Sequence, residues 1–126
     1  MYTYLLIGIG GFIGAIFRYS ISGWIQNGLI SFPVGTLGVN FIGSLFLSLV
    51  MYSSEYKGLF TEDTRIFLTI GLLGSFTTMS AFSYESFKLL EQKETLFLML
   101  NIFVTIFLTI FAIFLGKIIV MNVLKG

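Results

Sequence analysis

The chain has 126 residues, of which 56 % are hydrophobic, 17 % aromatic and only 10 % charged, with a net charge of +1. Soluble domains carry about a quarter charged residues, and disordered chains pair low hydrophobicity with high net charge, so both classes are excluded. Without cysteine there is no disulfide scaffold, without histidine there are no triads or the usual zinc, haem and copper sites, and seven scattered Lys and Arg make no basic face for nucleic acid.

What remains is an all-α integral membrane protein. A spanning helix takes about 20 mostly apolar residues. Four such helices and short loops consume almost the whole sequence, so one four-helix transmembrane domain over 1–126 is expected, with no room for a soluble domain. Met1 to Gly11 lacks a basic start and a cleavage site, and reads as the beginning of a retained helix.

Helix one is expected from about Tyr4 to Ile25. Its Gly10 and Gly14 form a small-xxx-small pair, which lets two helix backbones approach closely. Its one charge, Arg18, lies near the far end. The link 26–33 is uncharged, and Pro33 fits just before the first turn of the next helix. Helix two is expected from about Val34 to Tyr52, followed by a charged loop with Glu55, Lys57, Glu62 and Asp63. Thr61 is placed to cap helix three, which runs from about Thr64 to Leu90; Thr64 leaves the capping box incomplete. After the short loop Glu91 to Glu94, helix four runs from Thr95 to about Val120 and is ended by Asn122, Lys125 and Gly126.

Four helices put Lys57, Arg65, Lys117 and Lys125 on one side and Arg18, Lys88 and Lys93 on the other. Four against three is almost no bias, so the positive-inside rule sets no orientation. One reading is a cytoplasmic N-terminus. The other is dual topology, with copies inserted both ways. Many transporters build a midplane site from two inverted halves of one chain. Two oppositely directed copies of this chain would supply the same symmetry.

Polar side chains in a bilayer turn toward protein or water. Thr36, Asn40, Ser44 and Ser48 recur every four residues and share one face of helix two. Asn101, Thr105 and Thr109 repeat the device on helix four. Such stripes either line a pathway or glue helices together at about 1 kcal/mol or less each. The amide of Asn40, with two donors and an acceptor, favours the pathway. In helix three, Gly74 is followed by a run of hydroxyl and β-branched residues through Ser83. A break there would free backbone carbonyls suited to a small hard cation; a continuous helix with back-bonded hydroxyls is the alternative. Met79 and Phe82 share a face of that run, and ring edges with hydroxyl donors can replace part of an anion's hydration shell. Arg18 and Glu85 are the charges nearest the membrane interior, placed for a pair, a vestibule or, for Arg18, snorkelling to the interface.

Three segments carry a resemblance. They are Gly10-Gly11-Phe12-Ile13-Gly14-Ala15-Ile16-Phe17-Arg18-Tyr19, then Gly35-Thr36-Leu37-Gly38-Val39-Asn40-Phe41-Ile42-Gly43-Ser44, then Gly74-Ser75-Phe76-Thr77-Thr78-Met79-Ser80-Ala81-Phe82-Ser83-Tyr84-Glu85. In this order the chain resembles the small fluoride channels of the Fluc or CrcB family, with a looser match in helix four through Thr105, Thr109 and Gly116. The resemblance implies a dual-topology antiparallel dimer whose third helix is broken mid-membrane. It implies two narrow pores that pass F⁻ passively across the inner (plasma) membrane, exporting fluoride that entered as HF. Asn40 matches the pore-lining asparagine, Phe82 one member of a phenylalanine pair, and Ser80 and Ser83 the same segment. Thr105 and Thr109 match a polar track, Arg18 the motif arginine and Glu85 a vestibule glutamate. Gly74 and Thr77 match positions whose backbone carbonyls hold a structural Na⁺ at the dimer interface. Two departures stand out: Met79 takes the place of the other phenylalanine, and Asn101 takes a helix-four position often occupied by tyrosine. Some organisms pair two different chains of this kind; the near-balanced charges here favour a homodimer.

Other classes fit less well. A small multidrug exporter needs a buried acidic residue in helix one, which holds Arg18 and no Asp or Glu. The four-residue polar stripes and the hydroxyl-rich run of helix three argue against a non-transporting subunit. An enzyme has no nucleophile–base pair to build from without His or Cys.

Overall fold

The computed structural model describes residues 1–28 and 31–125. Leu29 and Ile30 of the uncharged link, and Gly126 at the expected end of helix four, lie outside the described residues. Long apolar runs free of internal proline become helices: α1 (Tyr2–Gln26), α2 (Val34–Lys57), α3 (Glu62–Ile66), a π-helical stretch Phe67–Leu73, α4 (Gly74–Phe76), α5 (Met79–Glu91) and α6 (Thr95–Val123). Four spans are long and apolar enough to cross a bilayer: Tyr2–Gln26, Val34–Lys57, Glu62–Glu91 and Thr95–Val123. The chain is a multi-pass membrane protein.

The helix ends follow local chemistry. Asn27, at φ 35°, closes α1 in the left-handed region. Gln26 ties the following link: its Nε2 donates to the Phe32 carbonyl (2.9 Å), and its Oε1 accepts from the Gly35 N–H (2.9 Å). Thr61 caps α3, accepting from the Thr64 N–H at 3.2 Å. The charged loop is shorter than expected. Glu55 and Lys57 belong to α2, which stops only at Gly58, where φ is 59°. Tyr52 and Tyr56 stack one turn apart at 6.1 Å, and no residue before Gly58 favours the left-handed turn that ends a helix.

In lipid, helices associate by close packing and hydrogen bonds rather than by escape from water. The small residues decide where that happens. α2 is the central helix, packed on both α1 and α6, and Val39 and Ala112 are fully buried. Ser48 Oγ donates to the Ile113 carbonyl at 2.5 Å, and a Cβ on Gly116 would lie 2.6 Å from Ser48 Cβ. Gly10 and Gly14 bring α1 against the π-helical stretch and α4. A Cβ on Gly10 would sit 2.8 Å from the Leu72 nitrogen, and one on Gly14 would meet Leu72 O and Ser75 Oγ. The span of α1 is 11 % buried and that of α2 39 %, so most of α1 is left for lipid or a partner.

The third span is irregular in two ways. From Phe67 to Leu73 it winds as a π-helix, with the Gly74 N–H donating to the Thr69 carbonyl five residues back. Between Phe76 and Met79 the backbone is extended, with Thr77 at φ −83°, ψ 157° and Thr78 at φ −151°, ψ 119°. Gly74 itself is helical at φ −63°, ψ −33°. The departure falls three residues later, on the β-branched pair Thr77 and Thr78, which suits extended backbone.

Candidate functional site

Asn40 holds the extended step in place. Its Oδ1 accepts from the Thr78 N–H at 2.8 Å, and its Nδ2 donates to the Thr78 carbonyl at 3.1 Å. In a continuous helix the Thr78 N–H would meet the Gly74 carbonyl. Here that donor belongs to Asn40. Thr78 then caps the next helix, its hydroxyl accepting from the Ala81 N–H at 3.1 Å. On the other flank Arg18 Nε donates to the Ser75 carbonyl at 3.0 Å. Arg18 Nε therefore serves the backbone of the third span. Both side chains satisfy groups that the interrupted helix cannot satisfy itself, which low-dielectric surroundings demand.

A groove of about 330 Å³, open along one side, runs beside this step. It gathers residues from three of the spans: Asn40 and Ser44 from α2, Gly74, Thr77, Met79 and Phe82 from the third span, and Thr105 and Thr109 from α6. Met79 stands at its edge, 72 % exposed. Ser80 and Ser83 are exposed and lie outside the lining; Ser80 Oγ shares a hydrogen bond with Thr78 Oγ1 at 3.2 Å. A second cleft of about 330 Å³ holds Arg18, Gln26, Thr36 and Glu85. Among the described residues Arg18 and Glu85 form no ion pair; Glu85 Oε2 instead accepts from Thr36 Oγ1 at 3.0 Å. Thr78 lines both clefts and so stands between them.

The polar stripes split between the two roles that spacing allows. Ser48 is glue between α2 and α6. Thr36 steadies Glu85. Asn40, Ser44, Thr105 and Thr109 face the groove. Asn101 is 1 % exposed and donates from Nδ2 to Ser86 Oγ at 2.9 Å. Two of these partners escaped the sequence reasoning. Ser86 lies four residues after Phe82, so helical spacing alone puts it on the same face. Thr78, a threonine three residues before a helical N–H, carries the ordinary N-cap signature.

The step also sets up opposite poles. The end of α4 presents carbonyls, which favour a cation, and the start of α5 presents N–H groups, which favour an anion. Thr78 and Met79, at the start of α5, both line the groove. Its hydroxyls and amide add further donors.

Four spanning helices, three of which line an open groove that sets a few polar side chains among apolar ones, define the class: a small multi-pass membrane protein. Comparison with known proteins is specific. Residues 5–117 match the family described as CrcB-like protein, Camphor Resistance (CrcB). The chain is 65 % identical over 122 residues, 97 % of its length and 93 % of the relative's, to a fluoride-specific ion channel of Methanosarcina acetivorans. It is 56 % identical over 123 residues, 98 % of its length and 93 % of the relative's, to one of Methanosarcina barkeri. It is 40 % identical over 117 residues, 92 % of its length and 94 % of the relative's, to one of Geotalea daltonii. The chain belongs to the CrcB, or Fluc, family.

Proposed function

We propose that this chain is a fluoride-selective channel, not an enzyme, that lets F⁻ run down its electrochemical gradient and lowers cytoplasmic fluoride. The convergence of Asn40, Phe82, Thr105 and Thr109 on one groove at the start of α5 carries the reading, in a chain whose relatives are fluoride-specific channels. Fluoride is small and strongly hydrated, so a selective path must replace water with closely set donors. The Asn40 amide, the two threonine hydroxyls and the first N–H groups of α5 are such donors, and the Phe82 ring edge adds a weak positive face. Ser80 and Ser83 lie beside the groove, where they can serve its mouth. Arg18 and Glu85 form the vestibule on the far side of Thr78.

The whole chain acts as one four-helix domain, and two copies pair antiparallel in the plasma membrane with the Thr77–Thr78 step at mid-bilayer. The open side of the groove and the little-buried α1 support a partner copy. Fluoride efflux from cells needs that membrane. Such a pair holds a structural Na⁺ through the carbonyls of Gly74 and Thr77. Those residues fit a hard cation: the Thr77 backbone is extended and the Thr78 N–H is engaged by Asn40, which leaves oxygen ligands unclaimed by the helix ladder. A related second chain can replace one copy in a heterodimer.

Purified alone and reconstituted in liposomes, the protein is expected to release F⁻ rapidly and to retain Cl⁻. Loss of both ions, or of neither, overturns the channel reading, and flux without any second chain establishes that a homodimer suffices. The antiparallel arrangement is tested separately. A C-terminal tag in intact vesicles is expected to be about half accessible from outside; a tag wholly on one side contradicts dual topology.

A further inference from the structure

Asn101 is the most deeply buried polar side chain on α6, and its two ends are differently engaged. Its Nδ2 is anchored to Ser86 Oγ at 2.9 Å, on the helix that carries Phe82. Its Oδ1 accepts from the Thr105 hydroxyl at 3.4 Å. That distance is long for an O–H···O bond, whose usual value is about 2.7–2.8 Å, so the bond is weak. The next hydroxyl along, Thr109, behaves otherwise. It donates to the carbonyl four residues back, that of Thr105, at 2.7 Å. Back-bonding of this kind is the ordinary resting state of a threonine in a membrane helix. Thr105 is spared it because the Asn101 side chain offers its proton another acceptor.

A hydroxyl has one proton. To stabilise an anion in the groove, Thr105 must turn that proton away from its resting acceptor and toward the ion. The turn is easy from a 3.4 Å bond and harder from a bond like that of Thr109. The Asn101 amide cannot follow the hydroxyl, because Ser86 pins it.

We infer that Asn101 is a positioning residue of the ion path: anchored by Ser86, it holds the Thr105 hydroxyl in a weak bond and so keeps its proton available to a passing anion. The inference rests on the reading that this groove conducts fluoride. Asn101 acts entirely through Thr105 and touches no ion itself. Removing its side-chain acceptor sends the Thr105 proton to the backbone carbonyl of residue 101, four residues back, where it is held as firmly as that of Thr109.

A mutant cycle on fluoride efflux from liposomes tests this. Thr105→Val, which keeps the shape and removes the proton, is expected to slow F⁻ release about tenfold, and Thr105→Ser to retain it. Asn101→Leu is expected to slow release by a similar factor. The double variant Asn101→Leu/Thr105→Val is expected to be no slower than Thr105→Val alone. Ser86→Ala, which leaves Asn101 in place and disturbs packing least, is expected to slow release in the parent chain and to have no effect beside Thr105→Val. It keeps the test decisive if Asn101→Leu fails to assemble. Independent, multiplying effects in either cycle would mean a merely structural Asn101 and overturn the inference, as would full-speed release by Thr105→Val. A parent protein that releases no F⁻ overturns the channel reading as well, which separates the two failures.

Discussion

Asn40→Ala is expected to abolish most fluoride flux and to lower the melting temperature of the detergent-solubilised protein. The substitution removes both hydrogen bonds to Thr78. The Thr78 N–H is then left without its partner, which costs about 1–3 kcal/mol. The chain can recover part of this by winding Thr77 and Thr78 back into helix. That rewinding returns the Thr78 N–H to the Gly74 carbonyl and erases the paired poles at the groove. Loss of the amide donor and of the α5 start together predict a flux fall on the order of a hundredfold at equal protein density. Flux is read with a fluoride electrode after liposome reconstitution, and stability by melting in detergent. A well-folded Asn40→Ala protein with parental flux would show that neither the clamp nor the amide matters.

The second large effect lies away from the groove. Gly14→Ala is expected to destabilise the fold by about 3 kcal/mol, because the new methyl group meets the Leu72 carbonyl and Ser75 Oγ. Backbone cannot step aside as a flexible side chain can, so α1 must move off the third span. Arg18, one turn further along α1, is then carried away from the Ser75 carbonyl. Flux should fall with stability. Gly8→Ala is the control. Among the described residues no atom beyond its own stretch of helix lies within 4 Å of a Cβ there, and alanine favours helix over glycine. Its melting temperature should match or exceed the parent's. Equal melting of Gly14→Ala and the parent would rule out the tight α1 contact.

What the sequence disclosed, and what it withheld, follows from the range of the interactions involved. Apolar length and four-residue polar spacing are local, and they place the four spans and the faces of Asn40, Thr105 and Thr109. The Gly10–Gly14 pair is equally local, and its close contact with the third span is present. Long-range partners were out of reach. Nothing near Arg18 in sequence says that its guanidinium serves the Ser75 carbonyl, 57 residues away. Nothing near Asn101 names Ser86. Composition marks the run after Gly74, rich in hydroxyl and β-branched residues, as poor helix material, but leaves a continuous helix equally open. Within that run the extended residues are Thr77 and Thr78, because Asn40 reaches across from α2 and stabilises the extended form. The charged loop was overestimated for the opposite reason. Charged residues read as loop, but Glu55 and Lys57 are good helix formers with no stop signal until Gly58.

The π-helical stretch from Phe67 to Leu73 has a consequence for how genes of this kind can change length. A π turn accommodates one more residue than the α turn it replaces. Losing one codon there converts five-residue bonding to four-residue bonding and leaves the residues beyond it in phase, with Thr78 still opposite Asn40. The same loss in the uninterrupted α6 would rotate every later residue by about 100° and turn Thr105 or Thr109 away from the groove. Among the four spans, the third is the one that carries a spare residue.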